Sequence, residues 1–242
     1  EDVFLLECDF HYDNEIQWIQ TPGKCMQMQD GIPFGIKYPD YDDGLTGLML
    51  SEIKEYVRTV SEVIYGENFK DDSDGYAKYL DVKSFIDYWI VFEVMINHEL
   101  GNPGSVFLHK SADGKLTAGP IWDFDWGVLS YNVSPQARNG LVNRDSFWYA
   151  RLFDDPDFKA AVKSRWNELL PQLKTIPAFI DEMEKTLQTS AELNFKMWDP
   201  AEDASQNGGV IVNGDERMTY NAAVERLKKI YEERLEIISK NL

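Results

Sequence analysis

The sequence predicts an α+β protein in which a few short strands precede a larger, mainly helical part containing one β-hairpin. Three observations predict it. Residues 1–40 hold short β-prone runs broken by turn residues. From Gly47 onward, apolar residues recur at helical spacing. Two strand-like runs then flank Asp113-Gly114, a strong turn dipeptide, and interrupt the helices. A division is expected at residue 44, with partial N-lobe strands and a hinge over 1–44 and a helical C-lobe over 45–242.

Each element has its own signal. "VFLLECDF" is β-prone, "TPGK" and "QDGIP" carry turn chemistry, and "FGIKYPD" reads as a strand stopped by Pro39. The polar joint "YDDG" leads to a helix in which Ile53, Val57, Val60 and Ile64 share a face, with Gly66 ending it. "DVKSFIDYWIVFEVMIN" begins at a plausible N-cap, Asp81, and is apolar nearly all round. Such a helix belongs inside a lobe. It runs into the polar loop "NHELGNPG", which must therefore start near the centre of the molecule, a good place for chemistry.

"SVFLHK" and "LTAGPIWDF" follow as the hairpin. "DDPDFKAAVKSRWNELL" has Asp155 as cap and Pro156 at the first helical position. A further helix covers "IPAFIDEMEKTLQTSAELNFKMW", a loop is expected over 199–218, and a closing helix places Val224, Leu227, Tyr231, Leu235 and Ile238 on one face.

Charge narrows the function classes. Acidic side chains outnumber basic ones 42 to 24, a formal net charge of −18. Nucleic acids and anionic membranes need a basic surface, so neither is an expected partner. The longest apolar-rich run, about residues 85–96, is shorter than a membrane span, so no membrane insertion is expected. The chain opens directly on strand-like residues, and the sequence is expected to begin inside a longer protein. Cys8 and Cys25 leave both a disulfide and two buried free thiols open, so the redox compartment is undecided. The three histidines, His11, His98 and His109, share no metal-ligand spacing, which argues against zinc.

"GPIWDFDWG", residues 119–127, places Asp123 and Asp125 two apart in an apolar run. In an extended segment both carboxylates would face one way, with Trp122, Phe124 and Trp126 facing the other. Carboxylates in such surroundings need a partner or a cation; structural acids that line turns fit the same pattern. The chain order is buried helix, polar loop with an acid, hairpin, then Asp-Phe-Asp-x-Gly. A protein-kinase C-lobe uses that order to bring a catalytic loop beside a magnesium-binding Asp. Mg²⁺ prefers one or two carboxylates plus phosphate oxygens and water, so Asp123 and Asp125 are the metal candidates. Glu99 in "NHELGN" would lie where the acceptor proton must go.

At these residues the chain resembles the spore-coat protein H (CotH) kinase family. "YLDVKSFIDYWIVFEVMINHE" followed by "SVFLHKSADGKLTAGPIWDFDWG" carries the likeness. It extends upstream through "FLLECDFHYD" and "FGIKYPD", and downstream through "FWYARLFDDPDFKAAVKSRWNEL" and "SAELNFKMW". The resemblance implies an atypical protein-kinase-like fold in a secreted or surface-associated bacterial protein. The implied activity is transfer of the γ-phosphoryl of ATP to Ser or Thr of a protein, with Mg²⁺ or Mn²⁺. It assigns Asp123 and Asp125 to the metal, Glu99 to catalysis, and Asn97, Ser105 and Lys37 to the cofactor site.

Three departures accompany it. Glu99 replaces an expected Asp, Ser105 stands where many relatives have a metal-holding Asn, and a phosphate-covering loop with its basic residues is not seen. Lys37 is read either as a phosphate contact or as a partner of Glu7. Two alternatives stay open: a degenerate kinase-like surface module, and a carbohydrate-binding or carbohydrate-active surface protein, suggested by Trp and Tyr richness with paired acids.

Overall fold

The computed structural model describes residues 3–11, 16–25, 30–112, 114–125, 127–198 and 220–242. The expected turn residue Asp113, Trp126 and the loop expected over 199–218 lie outside them.

The architecture is α+β. Strands β1 (Phe4–Cys8), β2 (Gln17–Gln20), β3 (Ile32–Tyr38), β4 (Val106–Lys110) and β5 (Thr117–Ala118) form one antiparallel sheet in the order β2-β3-β1-β4-β5. Strand β1 is central and uses both edges. Leu6 lies between Ile36 and Leu108, and Cys8 between Phe34 and Val106, which makes a buried apolar row on one face. Glu7 lies between Gly35 and Phe107 on the opposite face. The expected hairpin exists, but it completes the N-terminal sheet instead of standing apart among the helices. Strands on both sides of residue 44 thus share one ladder, because a lone short hairpin could not bury its apolar face.

Among the described residues there are six α-helices: α1 (Gly47–Tyr65), α2 (Val82–Val94), α3 (Tyr149–Leu152), α4 (Pro156–Leu173), α5 (Ile176–Met197) and α6 (Tyr220–Asn241). Thr46 caps α1 by accepting from the Met49 amide at 3.2 Å, and the expected Ile53, Val57, Val60 and Ile64 are its buried stripe. Asp81 caps α2 through the Ser84 amide. Helix α2 is buried over most of its surface, from Phe85 through Trp89 to Val94, with the Lys83–Asp87–Val91 face reaching solvent, and it packs at the centre of the core. Asp155 caps α4 and also accepts the Tyr76 hydroxyl at 2.7 Å. On α6 the expected Tyr231, Leu235 and Ile238 are buried, whereas Leu227 is exposed.

Helix α2 ends three residues earlier than the apolar pattern suggests. Ile96 takes φ 56°, a left-handed conformation costly for a β-branched residue, and turns the chain out of the helix. The hairpin's second strand is likewise short. Gly119 at φ 128° donates a last bond to the Phe107 carbonyl at 2.9 Å, and Pro120 has no N–H with which to continue the ladder.

Candidate active site

The expected extended run through Asp123 and Asp125 is not a strand. Asp123 has φ 60°, so the alternation of faces fails there. Trp122 and Phe124 do not share a face as expected. Phe124 packs edge-on against Phe92 of α2 at 4.9 Å, while Trp122 stays 60% exposed and rests its edge on Phe107. Trp126 lies outside the described residues. The apolar anchor of Phe124 and the left-handed turn at Asp123 leave both carboxylates exposed, side by side.

Asp125 raises Asp123 above the ordinary carboxylate range, chiefly through a hydrogen bond between the two side chains, with burial and like charge adding to it. The Ser105 hydroxyl opposes that rise by donating to Asp123 Oδ2 at 3.4 Å. Ser105 directly precedes β4, and its own amide donates to Asp9 Oδ2 at 3.4 Å. Asp9 directly follows β1, so the antiparallel pairing of Cys8 with Val106 puts Asp9 and Ser105 at the same end of the sheet.

Glu99 comes to this end from the opposite direction. The early stop of α2 presents Asn97, which is 2% exposed and holds Glu99 twice. Asn97 Oδ1 accepts the Glu99 amide at 2.9 Å, and Asn97 Nδ2 donates to Glu99 Oε2 at 3.3 Å. Burial raises the Glu99 carboxyl to about 7; the charges of Asp123, Asp9 and Glu7 add to the rise, and the Asn97 amide opposes it. Gly104 lies against the acid: a Cβ there would meet Glu99 Oε1 at 3.4 Å, an ordinary contact. His98 is half-buried, and burial lowers its pKa. The loop after the paired acids is tied back to α2 where Leu129 N donates to the Met95 carbonyl at 2.7 Å.

Lys37 pairs with Glu7 at 2.7 Å, the partner considered from sequence. The Glu7 charge acts on Glu99, which places this pair in the electrostatic surroundings of the site. Cys8 and Cys25 are buried and form no disulfide, and burial beside Glu7 and Asp9 pushes the Cys8 thiol up.

Four of the described non-glycine residues at positive φ, Ile96, Ser105, Asp123 and Leu129, flank or carry these side chains. Such conformations persist where surrounding contacts over-determine them, and they gather at functional sites. Asp9 was missed from sequence: its block was recognised, but only the β1–β4 register brings it beside Ser105. Elsewhere, Asp181, Glu184 and Glu225 approach within 4.8 Å of one another on α5 and α6. Lys228 bridges Asp181 and Glu225 there, which gives that trio a structural explanation.

Fold and site together define an α+β protein with an acidic centre at one end of an antiparallel sheet, backed by a buried helix. The chain belongs to the CotH kinase protein family, whose profile matches residues 26–238. No curated protein and no solved structure matches it. Family membership implies a kinase-like fold, a kinase activity with ATP as its nucleotide, and an acceptor substrate. Among the described residues, no helix is long and apolar enough to cross a membrane.

Proposed function

We propose that the chain is an atypical protein kinase that transfers the γ-phosphoryl of ATP to a Ser or Thr hydroxyl of a protein. The observation that carries this reading is Glu99, a half-buried carboxyl raised to about 7 and held by Asn97, in the field of Asp123. A general base works best when its pKa lies near the working pH. Glu99 accepts the acceptor hydroxyl's proton as the oxygen attacks the γ-phosphorus and ADP leaves.

The donor set fits a divalent cation, Mg²⁺ or Mn²⁺. Asp123 and Asp125 present adjacent carboxylates whose mutual repulsion a cation would relieve. The cation, when bound, supplies charge neutralisation for the phosphates. Asp123 and Asp125 hold it, and the Ser105 hydroxyl orients Asp123. Lys37, as the partner of Glu7, balances one acid near the site, and its reach to a phosphate is part of the proposal. So are the secreted or cell-surface placement and the treatment of 1–44 and 45–242 as lobes.

The adjacency of Asp123 and Asp125 disfavours the carbohydrate-active reading, which needs two carboxyls about 5 Å or more apart across a sugar. The degenerate-module reading rests on Ser105 in the Asn position and Glu99 in the Asp position. One experiment separates it from the enzyme: titration with Mg²⁺-ATP, followed by transfer of labelled phosphate to Ser/Thr peptides. Binding with transfer supports the kinase, and binding without transfer supports the module. Neither would sink both.

A further inference from the structure

We propose that Asn143, backed by the buried Glu93–Arg234 pair, is a positioning residue for the Asn97–Glu99 loop, so that helix α6 sets the geometry of the candidate base. Its kinetic consequence rests on the phosphotransfer reading; its structural one does not. Glu93 on α2 and Arg234 on α6 are both fully buried and form an ion pair. Burial pushes the Glu93 carboxyl up, and the Arg234 guanidinium opposes that rise. Arg234 also donates to the carbonyls of Glu93 at 2.9 Å, Ala137 at 2.9 Å and Gly140 at 2.7 Å. The Glu93 carboxylate in turn accepts the Val142 amide at 2.5 Å and the Asn143 amide at 2.9 Å.

Asn143, 1% exposed, then passes the order forward. Its Nδ2 donates to the Asn97 carbonyl at 2.8 Å, while its Oδ1 accepts no bond among the described residues. The side chain is therefore held here for its donor. Asn97 is the residue that grips Glu99 through both amide and carboxylate. The left-handed Ile96 just upstream has turned Asn97 out of α2, so the loop depends on such outside bonds for its direction. A hydrophobic cluster could replace the buried ion pair in volume. It could not aim a carbonyl. Each link is a hydrogen bond, and the line runs from α6 to Glu99 without a gap.

The test uses Asn143→Ala and, in case that variant does not fold, Asn143→Ser, whose hydroxyl is too short to reach the Asn97 carbonyl. Hydrogen exchange is followed by mass spectrometry across residues 97–101 and across α6. Alongside it, kcat and the KM for ATP are measured with a Ser/Thr peptide. Exchange should accelerate at 97–101 and stay unchanged in α6. Misplacement of a catalytic group by about an ångström costs roughly 100-fold, so kcat should fall about 10- to 100-fold with the KM for ATP within about twofold. Wild-type exchange at 97–101 would overturn the proposal, as would uniform acceleration along the chain or loss of the fold in both variants. A wild-type protein without transfer activity would instead refute the kinase reading, and the exchange result would still decide the positioning role.

Discussion

Asn97 holds Glu99 at two points, accepting its amide at 2.9 Å and donating to its carboxylate at 3.3 Å. An acid so held is oriented before any substrate arrives. The amide bond to the carboxylate favours the charged form, yet burial outweighs it and leaves the group near 7.

The first prediction concerns this carboxyl. A base must be ionised to work, so the transfer rate should rise with pH through about 7 and level off above it. Glu99→Gln should lower kcat by about 100-fold or more while nucleotide binding stays within about threefold, as for a group acting at the chemical step. Calorimetry and a pH–rate profile on the same preparations check both. A flat profile with unchanged kcat would remove Glu99 from the role.

Stability should move the other way. The folded pKa of Glu99 lies above its unfolded value, so the folded chain holds more protons between roughly pH 4.5 and 7 and loses stability as pH rises across that window. Without metal or nucleotide at pH 8, Glu99→Gln should therefore stabilise the fold. Allowing for partial exposure, the gain is about 1 kcal/mol, or roughly 2–4 °C in Tm. Thermal melts at pH 4 and pH 8 should show the gain only at the higher pH.

Asp123→Asn removes one of two adjacent charges. Metal-dependent ATP binding should weaken by at least about tenfold, read by calorimetry with Mg²⁺ and again with chelator. Equal binding by the variant would discard Asp123 and Asp125 as the metal site.

Ser105 occupies φ 55°, a region in which asparagine is enriched. Ser105→Asn should fold normally and tighten Mn²⁺ or Mg²⁺ binding in the presence of ATP, since an amide oxygen is a better cation ligand than a hydroxyl already donating to Asp123. Weaker metal binding in a correctly folded variant would show that Ser105 serves Asp123 and not the cation.

Arg234→Met would strand the Glu93 carboxylate in the core. Breaking one side of a buried pair costs about 3–5 kcal/mol, visible as a large drop in the denaturation midpoint. A double change to apolar residues of matched volume should recover much of that loss, because the desolvation of both charges disappears together.

Helical periodicity and capping residues were enough to locate α1, α2, α4 and α6, since those signals are local: the Ile53–Ile64 stripe, the Asp81 and Asp155 caps, and an α2 segment apolar nearly all round. The motif residues Glu99, Asp123 and Asp125 were legible by type and order. Their mutual placement was not. The alternation argument failed because a single left-handed residue, Asp123, breaks a strand's period of two, and spacing carries no sign of φ.

What the sequence by itself determined was the α+β class, the buried central helix and the acids available for chemistry, because composition and period act within a few residues. Tertiary structure alone decided that β4 joins β1 and brings Asp9 beside Ser105, that Lys37 meets Glu7, and that Arg234 reaches Glu93 across 141 positions. Those contacts depend on register and on the burial of partners far apart in the chain. Cross-strand pairing and desolvation choose them only once the core has closed.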